Sequence, residues 1–160
     1  PTDEDPDYFR ECRQMVELLG LERNVEFTGR VDVAPVYPSL DAVVLTSVSE
    51  AMPLAILEAN CCGVPCVATD VGSCAELLRG RLPEDVALGP SGHVTPIATP
   101  EATAAAIIRL LESEDERRRL GRSGVLRVKR FYNEADLNFA YLDLYRRYLA
   151  RPAARRTEAV

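Results

Sequence analysis

No run of apolar residues in this sequence approaches the ~20 needed to cross a bilayer, and no signal-peptide pattern opens it. Cys-x-x-Cys spacing is absent and there is a single histidine, which argues against a zinc framework. Positive charge is not in excess. Nineteen Lys and Arg stand against 25 Asp and Glu, a formal net charge of −6, which speaks against nucleic acid as the main partner. No segment repeats another. The five cysteines, an odd number, fit small core residues in a reducing, cytoplasmic setting better than a disulfide framework. What is present is 160 residues, 47% hydrophobic and 28% charged, enough for one globular domain with a real core. The chain opens on Pro1 rather than Met, so a piece of something longer is expected.

Hydrophobic periodicity orders the chain. Asp5 is placed to cap a first helix that has Pro6 as its first residue and Phe9, Cys12, Val16 and Leu19 on one face, with Gly20 as the stop. Residues 25–28 read as a short strand closed by Gly29. Pro35 and Pro38 allow only a short or broken helical turn over 33–40. Residues 42–46 are β-branched and apolar without interruption, the mark of a strand covered on both faces of a parallel sheet. A loop and a helix from Pro53 follow, then Gly63, a strand over 65–69, and a short helix over 74–79. This βαβ rhythm defines the fold class: α/β, a Rossmann-like doubly wound parallel sheet. In such sheets ligands bind beyond the carboxyl ends of the strands, where Glu50, Asp70 and Gly72 lie.

Further along, residues 80–92 read as a surface loop and 92–95 as a last short strand. Thr99-Pro100-Glu101 starts one helix, and the capping box Ser113-Glu114-Asp115-Glu116 starts another. The basic cluster from Arg109 to Arg130 reads as a solvated helix face. His93 has no cysteine or carboxylate at ligand spacing, and Asp41 is placed to fix a turn. A final helix from Asn133 carries a stripe of Leu137, Ala140, Tyr141, Leu144 and Tyr148, and residues 151–160 form an Arg-containing tail expected to be disordered.

The most informative stretch is residues 50–65. Two carboxylates, Glu50 and Glu58, bracket the start of a helix that Pro53 is suited to begin. Glu58 and Asn60 aside, that helix is apolar or small all round, which predicts burial and makes a carboxylate there costly without a partner. One reading is structural: both glutamates cap or form ion pairs. The other starts from their chemistry, since a carboxylate accepts two hydrogen bonds side by side, as adjacent sugar hydroxyls offer. The helix N-terminus between them favours a phosphate. Sugar, phosphate and sugar in line would be a nucleotide sugar.

At these residues the sequence resembles the retaining glycosyltransferases of the GT-B fold, family 4 type. Their Glu, seven residues, Glu pattern followed by a Gly-x-Pro turn into a strand is present as Glu50…Glu58 and Gly63-Val64-Pro65-Cys66-Val67-Ala68-Thr69. The resemblance extends over about residues 5 to 150, through Phe27-Thr28-Gly29-Arg30-Val31 and Asp41-Ala42-Val43-Val44-Leu45. Residues 69–77 and 88–98 look closest to the Pel-exopolysaccharide type, associated with UDP-glucose.

The resemblance implies that Glu58 holds the ribose hydroxyls, that Glu50 contacts the transferred hexose, and that the backbone amides of Leu54 and Ala55, beside Met52, face the diphosphate. Arg30 and Val31 would border the base. It implies no metal and no cofactor beyond the nucleotide-sugar donor. Residues 1–131 would form a donor-binding lobe incomplete at its N-terminus. Residues 132–150 would cross back to an N-terminal lobe absent here, and any membrane contact would come only through a polysaccharide-export complex. Two departures stand out. Ala51 replaces a glycine common after the first glutamate, and the upstream basic pair that neutralises the diphosphate is not in this chain. The alternatives are a nucleotide-sugar epimerase lobe and a non-catalytic Rossmann-like binding module.

Overall fold

A computed structural model describes residues 6–150, so the expected Asp5 cap and the tail over 151–160 lie outside the described residues. The chain divides into two compact units, Pro1–Val36 and Tyr37–Val160.

In the first unit, helix α1 (Pro6–Leu18) runs with Phe9, Cys12 and Val16 as its only half-buried residues, the face the periodicity marks. Leu19 lies past its end and is exposed. Gly20, at φ +66°, turns the chain while its N–H and that of Leu21 close on Glu17 and Val16 carbonyls. Phe27 stacks edge-on against Phe9, ring centroids 5.4 Å apart. The strand expected over 25–28 is not formed. A strand exists only as part of a ladder, and among the described residues none pairs with this segment.

The second unit is built on three parallel strands in the order β1-β2-β3: β1 (Val43–Leu45), β2 (Cys66–Thr69) and β3 (Gly92–Thr95). Register pairs Val44 with Val67 and Val67 with His93. Helix α2 (Leu54–Cys61) connects β1 to β2. Helices α3 (Cys74–Arg79) and α4 (Pro83–Val86) lie between β2 and β3, and α5 (Pro100–Glu112), α6 (Glu114–Phe131) and α7 (Glu134–Leu149) follow. Ile56, Ala59, Cys66, Ala68, Cys74, Leu77 and Leu78 fill one side of the sheet, while Val67, Leu110 and Leu120 fill the other. Helices on both faces of a parallel sheet make the unit doubly wound. Only β2 is buried throughout. β1, expected to be covered on both faces, is an edge strand whose Val44 is 42% exposed.

Helices α2 and α6 pack at close range. A Cβ on Gly121 would lie 2.0 Å from the Gly63 carbonyl oxygen, so only glycine permits this approach. Beside it, Asn60 is buried against Gly124 with no hydrogen-bond partner for its amide among the described residues.

Three expectations are corrected by pairing across the fold. Residues 80–92 are not simply a surface loop: α4 carries Asp85, which is buried. Arg127, expected on a solvated face, is fully buried; its Nε donates to Asp85 at 2.6 Å and its other nitrogens reach the carbonyls of Leu78, Asp85 and Gly89. A guanidinium can be buried this way because nearly all its donors find acceptors. His93 does have a carboxylate nearby, with Nε2 at 3.4 Å from Glu116 Oε1. Burial pushes that imidazole below its usual value and Glu116 opposes the shift.

The Ser113 cap forms as the sequence predicts, its Oγ accepting from the Glu116 N–H. The Glu116 side chain does not complete the box. It accepts from Arg109 instead, which holds its carboxyl below the usual range. Asn133 caps α7 through the Ala135 N–H.

Candidate functional site

β1 delivers the chain to the carboxyl end of the sheet, and residues 46–53 turn there before α2 begins. Two contacts from β2 and the loop after it shape the turn. Thr69 Oγ1, at the end of β2, donates to the Ser47 carbonyl at 2.5 Å. Ser73 donates from both its N–H and its Oγ to the Ala51 carbonyl, at 3.1 and 2.9 Å. Gly72 lies so close that an added Cβ would be 2.0 Å from the Glu50 carbonyl oxygen. Its φ of +50° adds a second reason for glycine. Cys74 is buried in the core below, and burial pushes its thiol up.

On this scaffold Glu50 is half-buried, and its Oε1 accepts from Ser47 Oγ at 2.8 Å. Glu58 stands in the second turn of α2. It is exposed, which corrects the expectation of a buried carboxylate. The reason is the packing of α2, which buries Ile56, Ala59 and Asn60 against the sheet and α6 and leaves Leu54, Glu58, Cys61 and Cys62 outside. Two of the cysteines expected in the core, Cys61 and Cys62, are therefore at the surface, while Cys66 and Cys74 are buried. Glu58 still has a partner. Tyr37, on the 3₁₀ turn Tyr37–Ser39, donates its Oη to Glu58 Oε2 at 2.9 Å.

Between the two carboxylates α2 starts with Pro53 in the N-cap position, at φ −73° and ψ 113°. The proline thus precedes the first helical residue instead of being it. No side chain caps this end. The Ile56 N–H closes on the Pro53 carbonyl, and no acceptor among the described residues takes the N–H groups of Leu54 or Ala55. First-turn donors without partners carry the positive end of the helix dipole. Met52 and Leu54 are exposed beside them.

The two carboxylates and this helix start form an open ledge. A cavity of ≈ 430 Å³ adjoins the Glu50 loop at the strand ends, lined by Thr46, Val48, Thr69, Thr99 and Thr103 among others. A second, of ≈ 460 Å³, lies away from both glutamates between Gly63 and α6. Among the described residues no three His, Cys, Asp or Glu gather as a metal site, and no helix is long and apolar enough to cross a membrane.

The structure places Glu50, Met52, Leu54 and Ala55 in succession at the carboxyl end of β1 and the start of α2, with Glu58 one turn further along that helix, beside Tyr37. Arg30 and Val31 belong to the first unit, where both are exposed. Sequence reasoning missed Tyr37, Ser47 and Thr69. A signal for Tyr37 was present: a large aromatic between Pro35 and Pro38, in a segment with no helical period to explain it.

Comparison with known proteins identifies the fold. The chain superposes on sucrose-phosphate synthase from Thermosynechococcus elongatus with a TM-score of 0.78 at 29% identity, covering 88% of this chain and 34% of that one. It superposes on Anabaena HepE in complex with UDP with a TM-score of 0.76 at 26% identity, covering 89% and 38%. HepE is also solved with UDP and glucose. The fold is that of the Rossmann-like C-terminal lobe of a GT-B glycosyltransferase.

Residues 3–113 match the family described as glycosyl transferases group 1, and the chain belongs to that family. It is 34% identical over 109 residues to N-acetyl-alpha-D-glucosaminyl L-malate synthase of Bacillus anthracis, covering 68% of this chain and 26% of that protein. The chain spans about a quarter of the length of that relative.

Proposed function

We propose that this chain is the donor-binding lobe of a retaining glycosyltransferase that moves a hexose from a nucleoside diphosphate, UDP-glucose in the first instance, to an acceptor hydroxyl. The observation that carries the reading is the ledge itself. Each glutamate has one oxygen held by a neighbour, Ser47 or Tyr37, and one left open, and the free N–H groups of α2 stand between them. A ribose fits Glu58, a diphosphate fits the amides of Leu54 and Ala55, and the transferred hexose falls to Glu50. There the carboxylate stabilises positive charge developing at the anomeric carbon.

UDP as the donor's leaving group is supported by the HepE complexes with UDP and with UDP and glucose. The Pel-type likeness, and with it a polysaccharide acceptor, is supported by the sequence of residues 69–77 and 88–98 alone. The assignment of Arg30 and Val31 to the base, and of the diphosphate to backbone amides with no metal, follows the family resemblance. So does the docking of α7 on an N-terminal lobe, and this chain alone is expected to be inactive.

The test uses the full-length protein. Titration with UDP, UDP-glucose and GDP-mannose should show tighter binding of the uridine ligands. Glu58→Ala should weaken UDP by about tenfold or more, the cost of losing hydrogen bonds to a charged group. Transfer should survive a chelator, and the anomeric proton of the product should report retention. Unchanged UDP affinity in Glu58→Ala would remove the ribose assignment. Binding without hydrolysis or transfer of any nucleotide sugar would favour a binding module.

A further inference from the structure

Glu58 is an exposed carboxylate on a flexible three-carbon side chain, and such a group samples several rotamers unless something holds it. Here one group does. Tyr37 Oη reaches Glu58 Oε2 at 2.9 Å across 21 residues of sequence. The phenol ring is 8% exposed and belongs to the core cluster that includes Ile56, Ala59, Val64 and Cys66, so the ring itself has little freedom. Its hydroxyl is pushed up to about 12, chiefly by burial and then by Glu58, and so remains a donor throughout the physiological range. A donor that stays protonated over that range occupies one lone pair of Oε2. Oε1 and the remaining lone pair of Oε2 are left to accept from outside.

Resting on the ribose reading of Glu58 above, we propose that Tyr37 is a positioning residue that pre-sets the Glu58 carboxylate to accept both hydroxyls of a ribose, favouring ribonucleotide donors over deoxy analogues. Fixing the rotamer before the ligand arrives removes an ordering cost from binding. The contribution therefore depends on the hydroxyls being there to meet the carboxylate. A tyrosine that merely fills the core and satisfies its hydroxyl would show no such dependence on the ligand.

The test compares UDP with 2′,3′-dideoxyuridine diphosphate on the full-length protein, by calorimetry, for the wild type, Tyr37→Phe, Glu58→Ala and the double variant. Tyr37→Phe keeps the ring and removes only the donor. It is expected to lower UDP affinity about three- to tenfold, to leave the dideoxy affinity unchanged, and to add nothing to Glu58→Ala. In turnover the KM for the donor should rise while kcat holds. Glu58→Asp, which draws the carboxylate back from Tyr37, should reproduce the loss for UDP alone. Equal losses for both ligands, or an unchanged UDP affinity in Tyr37→Phe where Glu58→Ala loses it, would overturn the positioning role. If Glu58→Ala binds UDP like the wild type, the ribose reading itself fails and the role of Tyr37 with it, an outcome distinct from the other two.

Discussion

Tyr37 links stability to the site at the scale of a single residue. Its hydroxyl is pushed up from the ordinary 10.0 to about 12 because ionising it would place a charge in a buried position beside a carboxylate. An unfolded tyrosine ionises near 10.0, so the neutral phenol favours the folded state fully below that pH. The contribution is lost as pH rises from 10.0 through about 12. Denaturant midpoints measured across this window should therefore fall for the wild type and fall less for Tyr37→Phe; parallel curves would show that the phenol is not the group responsible. At this scale the sequence was half legible. Glu50 and Glu58 stood out by spacing and by the helix between them. Their holders did not: Ser47 carries no pattern of its own, the aromatic between Pro35 and Pro38 marks Tyr37 without naming its partner, and which of many hydroxyls meets a carboxylate depends on where the chain crosses itself.

The loop after β2 is the element on which the Glu50 turn rests. Gly72 sits against the Glu50 carbonyl at a distance no side chain allows, and Ser73 holds Ala51 twice. Gly72→Ala combines an unfavourable positive φ with a collision against backbone, and should cost about 1–3 kcal/mol of stability. It should also shift Glu50, so that donor turnover in the full-length protein falls by more than UDP affinity does. A variant with turnover and affinity reduced in proportion would separate this loop from the Glu50 role. Element boundaries were the most legible part of the fold. The β-branched runs became β1 and β2, Gly20 and Gly63 stopped helices, and Ser113 and Asn133 began them, since each of these signals acts within a few residues. The failed strand at 25–28 shows the limit of local reading. Alternation in sequence makes a segment fit for a ladder without supplying the neighbour.

For the molecule as a whole, α7 poses the open energetic question. It buries no residue within the described structure, yet Leu137, Tyr141, Leu144 and Tyr148 repeat along it. On the proposed docking to an N-terminal lobe, Leu144→Glu should lower the stability of the full-length protein by about 2 kcal/mol, the scale of one buried leucine. Thermal melts would check this, and the same change in this chain alone should leave its melting unaltered. Equal melting in both settings would count against the docking.

By itself the sequence determined the doubly wound class, the order of the three paired strands and of the longer helices around them, and the bracketing of a helix start by two carboxylates, because periods of 2 and 3.6 residues and turn chemistry are local. Only the tertiary structure decided what those carboxylates touch and that one is exposed. It also decided that Arg127 is buried on Asp85, 42 residues away, instead of facing water. Pairings of this kind are set by which surfaces meet when the sheet and its helices close on each other, and no local period records that.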